Sequence, residues 1–129
     1  MLRISLKPDD IKRGKVIQNP GWFGAILTDV ITKPSREDKS TNYFFKFRGF
    51  TGEAKDMTFQ RVFNEKGMGF MVPLLKALGV HIDEETGEVQ DFDLHGLIER
   101  KVKLYIKQGE YNNAPTNEVA GFEAWEEAA

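Results

Sequence analysis

The chain has 129 residues, no Cys, 40% hydrophobic residues and a formal net charge of -2. That is enough apolar material for one core in one domain, and the missing Cys removes thiolate catalysis, disulfides and every Cys-based zinc site. No apolar run approaches the roughly 20 residues that span a bilayer, and the opening Met-Leu-Arg-Ile-Ser-Leu-Lys lacks the continuous apolar stretch of a secretory leader; a soluble, cytoplasmic protein with no membrane partner is expected.

Residues 1–20 carry scattered apolar positions, the cluster Lys12-Arg13-Gly14-Lys15 and the turn signal Asn19-Pro20-Gly21, which predicts an N-terminal arm or short edge strand. From Trp22 to Thr32 the run is β-branched and aromatic, a long first strand in which Gly24 predicts a bulge or bend. Residues 33–41 are polar with Pro34 near the start, and read as an exposed, mobile loop. A second, aromatic strand runs from Asn42 to Phe50. The turn Thr51-Gly52-Glu53-Ala54-Lys55 leads to a third strand over residues 56–63.

The period then changes. Met71, Leu74, Leu75 and Leu78 stand at i, i+3, i+4 and i+7, the stripe of a short helix within residues 67–79 that Gly79 stops and that tolerates Pro73 only in its first turn. An acidic connection, residues 81–93, leads to a fourth strand in which Val102, Leu104 and Ile106 alternate with Lys101, Lys103, Tyr105 and Lys107. Residues 108–117, rich in Asn, Gly and Pro, predict a long loop, and residues 118–125 a fifth strand before a short acidic end, residues 126–129.

Three strands, a helix and two strands is the order of the OB-fold. The expectation is therefore a mainly β protein: a five-stranded Greek-key barrel over residues 21–125, with one short helix between strands three and four. An unrelated α+β sandwich has the same element order and remains open. In this fold a ligand commonly crosses strands two and three between the loops joining strands one to two and four to five.

Strand two carries the chemistry. Alternation puts Tyr43, Phe45 and Phe47 on one face, a plain core side, and Phe44, Lys46, Arg48 and Phe50 on the other. Rings interleaved with cations suit unstacked bases and the phosphates between them, since every base has a stackable face and every phosphate a charge. The candidate binding residues for single-stranded DNA are Phe44, Lys46, Arg48 and Phe50, with Phe59 and Arg61 on strand three and Lys101, Lys103, Tyr105 and Lys107 on strand four. Three alternatives stand beside this. Phe44 and Phe50 can pack under a loop or at a subunit contact, since alternate aromatics also stabilise sheets. Met57, Phe59 and Phe63 can form the core side of strand three, which moves Arg61 to the barrel rim. The lysines of strand four can be a solvated edge that discourages aggregation. Trp22 and Tyr111 suit the groove margin, although core packing and loop anchoring are the preferred readings for them.

The net charge conceals an asymmetry. Residues 1–80 carry 14 Lys or Arg against 8 Asp or Glu, net +6, and residues 81–129 carry 4 against 12, net -8. A polyanion responds to the local field, so the acidic total is compatible with a basic groove of modest, salt-sensitive affinity. Catalysis has little to stand on. His81 and His95 lack a zinc-ligand spacing, residues 83–88 lack the alternating ligands of a calcium loop, and no phosphate-binding glycine loop or nucleophile elbow occurs. Neither an enzyme nor a bound metal or cofactor is expected.

Gly-Trp-Phe-Gly-Ala-Ile-Leu at the first strand, Gly69-Phe70 before a Leu-Leu-x-x-Leu-Gly helix, and Leu94-His95-Gly96-Leu97 leading into Val102 to Tyr111 and Asn112 resemble the single-stranded DNA-binding proteins of bacteriophages and related mobile elements. The resemblance spans roughly residues 21–122. It implies an OB-fold that coats single-stranded DNA with little sequence preference during phage replication or recombination, in the host cytoplasm. It also brings replication or recombination proteins into view as partners, and leaves homo-oligomerisation open. The chain departs from many such proteins in having a short acidic end where they carry a long acidic tail, which puts recruitment by a tail in doubt. The competing reading is a β-barrel adaptor of a virion or replication complex, with the exposed aromatics as a protein interface.

Overall fold

The computed structural model describes residues 16–83, 85–87 and 93–126. Among these residues five strands form one antiparallel sheet: β1 Gly21–Pro34, β2 Thr41–Gly49, β3 Thr58–Asn64, β4 Lys101–Tyr111 and β5 Ala114–Ala124, in the order β3-β2-β1-β4-β5. One short helix, α1 Val72–Ala77, lies between β3 and β4, so the mainly β composition and the element order are as the sequence predicts. Among the described residues no strand ladder joins β3 to β5, and the sheet is open there. No helix of the described residues is long and apolar enough to cross a membrane.

β1 is long because it serves two neighbours, pairing with β4 from Gly21 to Ile26 and with β2 from Ala25 to Pro34. The irregularity that lets it turn lies between Leu27 and Asp29, not at Gly24. There Leu27 N–H donates to the Arg100 carbonyl at 3.0 Å and Thr28 Oγ1 to the Lys46 carbonyl at 3.1 Å, which hold the bulged backbone. Gly24 stays in register for a different reason: a Cβ there would stand 2.7 Å from the Trp125 ring and 2.8 Å from the Phe50 ring.

The core lies on the sheet's inner face. Ala25, Leu27 and Val30 of β1, Phe45 and Phe47 of β2, Phe59 and Phe63 of β3, and Val102, Leu104 and Ile106 of β4 are buried, as strand alternation requires. Phe122 of β5 approaches Phe63 of β3 to 6.2 Å between ring centroids, so aromatic packing spans the gap that the ladders leave. Ile17 is fully buried, its N–H donating to Asn117 Oδ1 and its carbonyl accepting from Gln108 Nε2, both at 2.7 Å. The predicted N-terminal arm is thereby tied at residue 17 to the β4–β5 hairpin, while residues 1–15, with the Lys12-Arg13-Gly14-Lys15 cluster, lie outside the described residues.

Three elements differ from the sequence expectation. The predicted helix is shorter, because the 3-10 segment Glu65–Met71 precedes α1 and is kinked at Gly67, and Gly67 and Gly69 are poor helix formers. Met71, Leu74, Leu75 and Leu78 are nevertheless all buried. α1 ends where Gly79, at φ +93°, lets Val80 N–H reach the Leu75 carbonyl and Gly79 N–H the Lys76 carbonyl. The predicted loop at 108–117 is instead a tight hairpin: Asn112 and Asn113, at φ 50° and 62°, make a two-residue turn, and the ladder runs through Gln108↔Asn117 to Tyr111↔Ala114. Asn tolerates the left-handed region, and such a turn matches the twist of the paired strands. The loop between β1 and β2 contracts to residues 35–40.

Candidate nucleic-acid interface

The outer face of β2 is where alternation delivers Phe44, Lys46 and Arg48 together. Phe44 is half-buried and both cations are exposed, while Phe45 and Phe47 on the opposite face are fully buried. Cross-strand register fixes their neighbours: Arg48 lies between Ile26 and Thr58, Lys46 between Asp29 and Gln60, and Phe44 between Ile31 and Val62. β3 thus presents only uncharged side chains here. Asp29 turns its carboxylate to the Val30 N–H at 2.9 Å, and among the described residues neither Lys46 nor Arg48 has an ion-pair partner. Lys33 Nζ stands 5.7 Å from the Phe44 ring centroid. A cavity of about 370 Å³, lined by Thr28, Lys46, Thr58 and Gln60 with Phe47 and Phe59 beneath, opens on this face at the β1 bulge.

β3 contributes different residues from those expected. Phe59 pairs with Phe47, Arg61 with Phe45 and Phe63 with Tyr43, so all three face inward. Phe59 is 5% exposed and belongs to the core, where no base reaches it. Arg61 is half-buried at the rim, its guanidinium 5.2 Å from the Phe63 ring centroid and its Nε buried without a hydrogen-bond partner among the described residues. The Met57, Phe59, Phe63 spacing carried this signal: these large apolar residues share one parity, which marks the core side of the strand, and Arg61 shares that parity. The outward positions are Thr58, Gln60 and Val62.

Phe50 has an intramolecular partner. Its ring packs edge-on against Trp125, with centroids 4.8 Å apart, above Gly24, and Lys101 Nζ lies 5.6 Å from its centroid. Trp125, which the sequence reading placed only at the end of strand five, is thus part of this face. No local pattern could reveal it, because the contact joins residues 75 positions apart in the chain.

On β4, Lys101, Lys103, Tyr105 and Lys107 all face outward, opposite the buried Val102, Leu104 and Ile106. Their setting differs from that of Lys46 and Arg48. Lys107 Nζ stands 3.9 Å from Glu118 Oε2, Lys103 lies opposite Glu123 on β5, and Tyr105 packs edge-on against Trp22 at 5.4 Å. β5 therefore supplies a carboxylate to Lys107 and places one opposite Lys103, whereas the β2 cations face neutral β3.

The loop at 35–40 borders the Phe44 end and carries exposed Arg36 and Lys39. Polar contacts hold it. Ser35 N–H donates to the Ser40 carbonyl at 2.6 Å, Asn64 Nδ2 donates to Ser40 Oγ and Asn42 Oδ1 at 2.8 Å each, and Thr41 N–H donates to Glu65 Oε1 at 2.6 Å. Asp38 accepts from Lys66 and from Ser40, and these bonds, the Lys66 ammonium foremost, hold its carboxyl far below the usual carboxylate range. On the other side, a cleft of about 440 Å³ separates β3 from the β4–β5 hairpin, with Tyr111 at its end 72% exposed.

Comparison with protein-family models and with curated proteins gives no match.

Proposed function

We propose that this chain is a non-enzymatic single-stranded DNA-binding protein of the OB-fold type, which coats DNA with little sequence preference in phage replication or recombination. The observation that carries the reading is the outer face of β2, where Phe44 stands beside Lys33, Lys46 and Arg48 with no carboxylate paired to either strand cation among the described residues. A ring takes a base by stacking, and the cations take the phosphates on either side. The strand order supports the fold: β1 shared between β2 and β4, with β3 and β5 at the two edges, needs only a β3–β5 closure to become the five-stranded barrel. The loop at 35–40 and the β4–β5 hairpin then flank the ligand. Uncharged Thr58 and Gln60 beside the cations suit binding that follows the backbone more than the bases.

The test is fluorescence anisotropy of labelled single-stranded DNA, duplex and RNA at low and moderate salt. Binding to single-stranded DNA that ignores sequence and weakens with salt supports the reading, and absence of binding at low salt removes it. The protein-adaptor reading has one observation of its own. Met68 and Phe70 on the 3-10 segment are 41% and 75% exposed, and an adaptor using them forms a salt-tolerant complex without nucleic acid.

A further inference from the structure

From the position and packing of Trp22, we infer that the outer face holds a second base-stacking site on that residue, so that one protomer engages a nucleic-acid strand at two separated aromatic platforms. The inference rests on the single-stranded DNA reading above. Trp22 lies on the same face of β1 as Gly24 and Ile26, and Ile26 is the cross-strand neighbour of both Arg48 and Lys101. Along β1 the outer face therefore runs from Ile31, beside Phe44, past Asp29 and Lys46, past Ile26 and Arg48, past the Phe50 and Trp125 rings over Gly24, to Trp22. At about 3.3 Å per residue the nine steps from Ile31 to Trp22 cover about 30 Å of strand.

Trp22 is built as a platform. Tyr105 packs against its ring edge-on, at 5.4 Å and 66°. Beneath it lies Gly121, where a Cβ would stand 3.2 Å from the indole Cη2 and 3.9 Å from Cζ2, so the missing side chain is what lets the indole settle onto β5. Held on those two sides, Trp22 remains 44% exposed. An indole already fixed loses little freedom on stacking with a base. Phe50, by contrast, has its ring engaged by Trp125. Along β1 and β2 the two platforms on this face are Phe44, with Lys33 Nζ over its ring, and Trp22.

The test uses the full chain carrying Trp125→Phe, in which Trp22 is the remaining Trp. Oligothymidylates of about 4 and about 16 nucleotides, the ends of the usual site-size range, are titrated with anisotropy and Trp emission read together. The expected result is that the longer strand quenches Trp22 while the shorter one binds with little change in emission. In the otherwise native chain, Trp22→Ala then reduces the affinity advantage of the longer strand about 10-fold, and Trp22→Phe restores most of it. If the longer strand binds and Trp22 emission stays constant, or if Trp22→Ala keeps the full advantage, the second site is wrong while the functional reading stands. Binding of neither strand at low salt overturns both. Emission that changes with protein concentration alone, together with a larger sedimentation coefficient, makes Trp22 a self-contact and also overturns the site.

Discussion

Neighbouring residues on β2 have opposite duties, and substitution separates them. Phe45 and Phe47 are fully buried, so Phe45→Ala or Phe47→Ala is expected to cost about 3 to 5 kcal/mol, measured by urea denaturation. Phe44→Ala is expected to leave the melting transition nearly in place and to weaken single-stranded DNA binding by about 1 to 3 kcal/mol. Phe59→Ala belongs with the first group despite the ring-cation pattern around it, because its side chain is in the core. Gly24→Ala places a methyl group against the Phe50 and Trp125 rings, an overpacking that is expected to cost about 1 to 3 kcal/mol. At this scale alternation read strand two correctly, since both sides of its pattern are unambiguous. It did not read Phe50, because the Trp125 ring arrives from the far end of the chain.

The two connections that flank the candidate surface are held by different physics. The β4–β5 hairpin depends on two consecutive residues in the left-handed region, and Asn113→Val, β-branched at φ 62°, is expected to cost about 1 to 2 kcal/mol in chemical denaturation. The loop at 35–40 depends on Asp38 and its bonds to Lys66 and Ser40. Because the folded pKa of Asp38 lies below its unfolded value, this contribution is complete above the ordinary carboxylate range and fades as pH falls through the lower folded value. An NMR titration is expected to find Asp38 still ionised at about pH 3.9, where an unperturbed Asp is half protonated, and Lys66→Met is expected to move its midpoint upward. The sequence marked both segments as polar breaks. It overstated the length of the β4–β5 connection, because a run rich in Asn, Gly and Pro looks the same whether it forms a long loop or continues two strands around a tight turn.

For the whole molecule, charge is divided by strand as well as by position in the chain. Lys107 and Lys103 of β4 face Glu118 and Glu123 of β5, whereas Lys46 and Arg48 face Gln60 and Thr58 of β3, and the Asp29 carboxylate opposite Lys46 is turned to the Val30 N–H. Lys46→Gln and Arg48→Gln are each expected to reduce the salt dependence of DNA binding by about 0.7 of a log-log unit, the value for one phosphate contact on a single strand. Lys107→Gln is expected to change it less, because Glu118 already offsets that charge. A similar loss of slope at all three positions is the result that contradicts this division.

What the sequence determined by itself is what depends on neighbours along the chain: the order of strands and helix, the buried side of β2 and β4, and the stripe of Met71, Leu74, Leu75 and Leu78 on one side of a short helical stretch. Periodicity suffices for these because burial acts on every second residue of a strand and every third or fourth of a helix. The tertiary structure alone decided which outward residues share a surface. Trp125 over Phe50, Trp22 over Gly121, Arg61 at the core rim and glutamates beside only one set of lysines all follow from strand register, which brings distant residues within a few ångströms of one another.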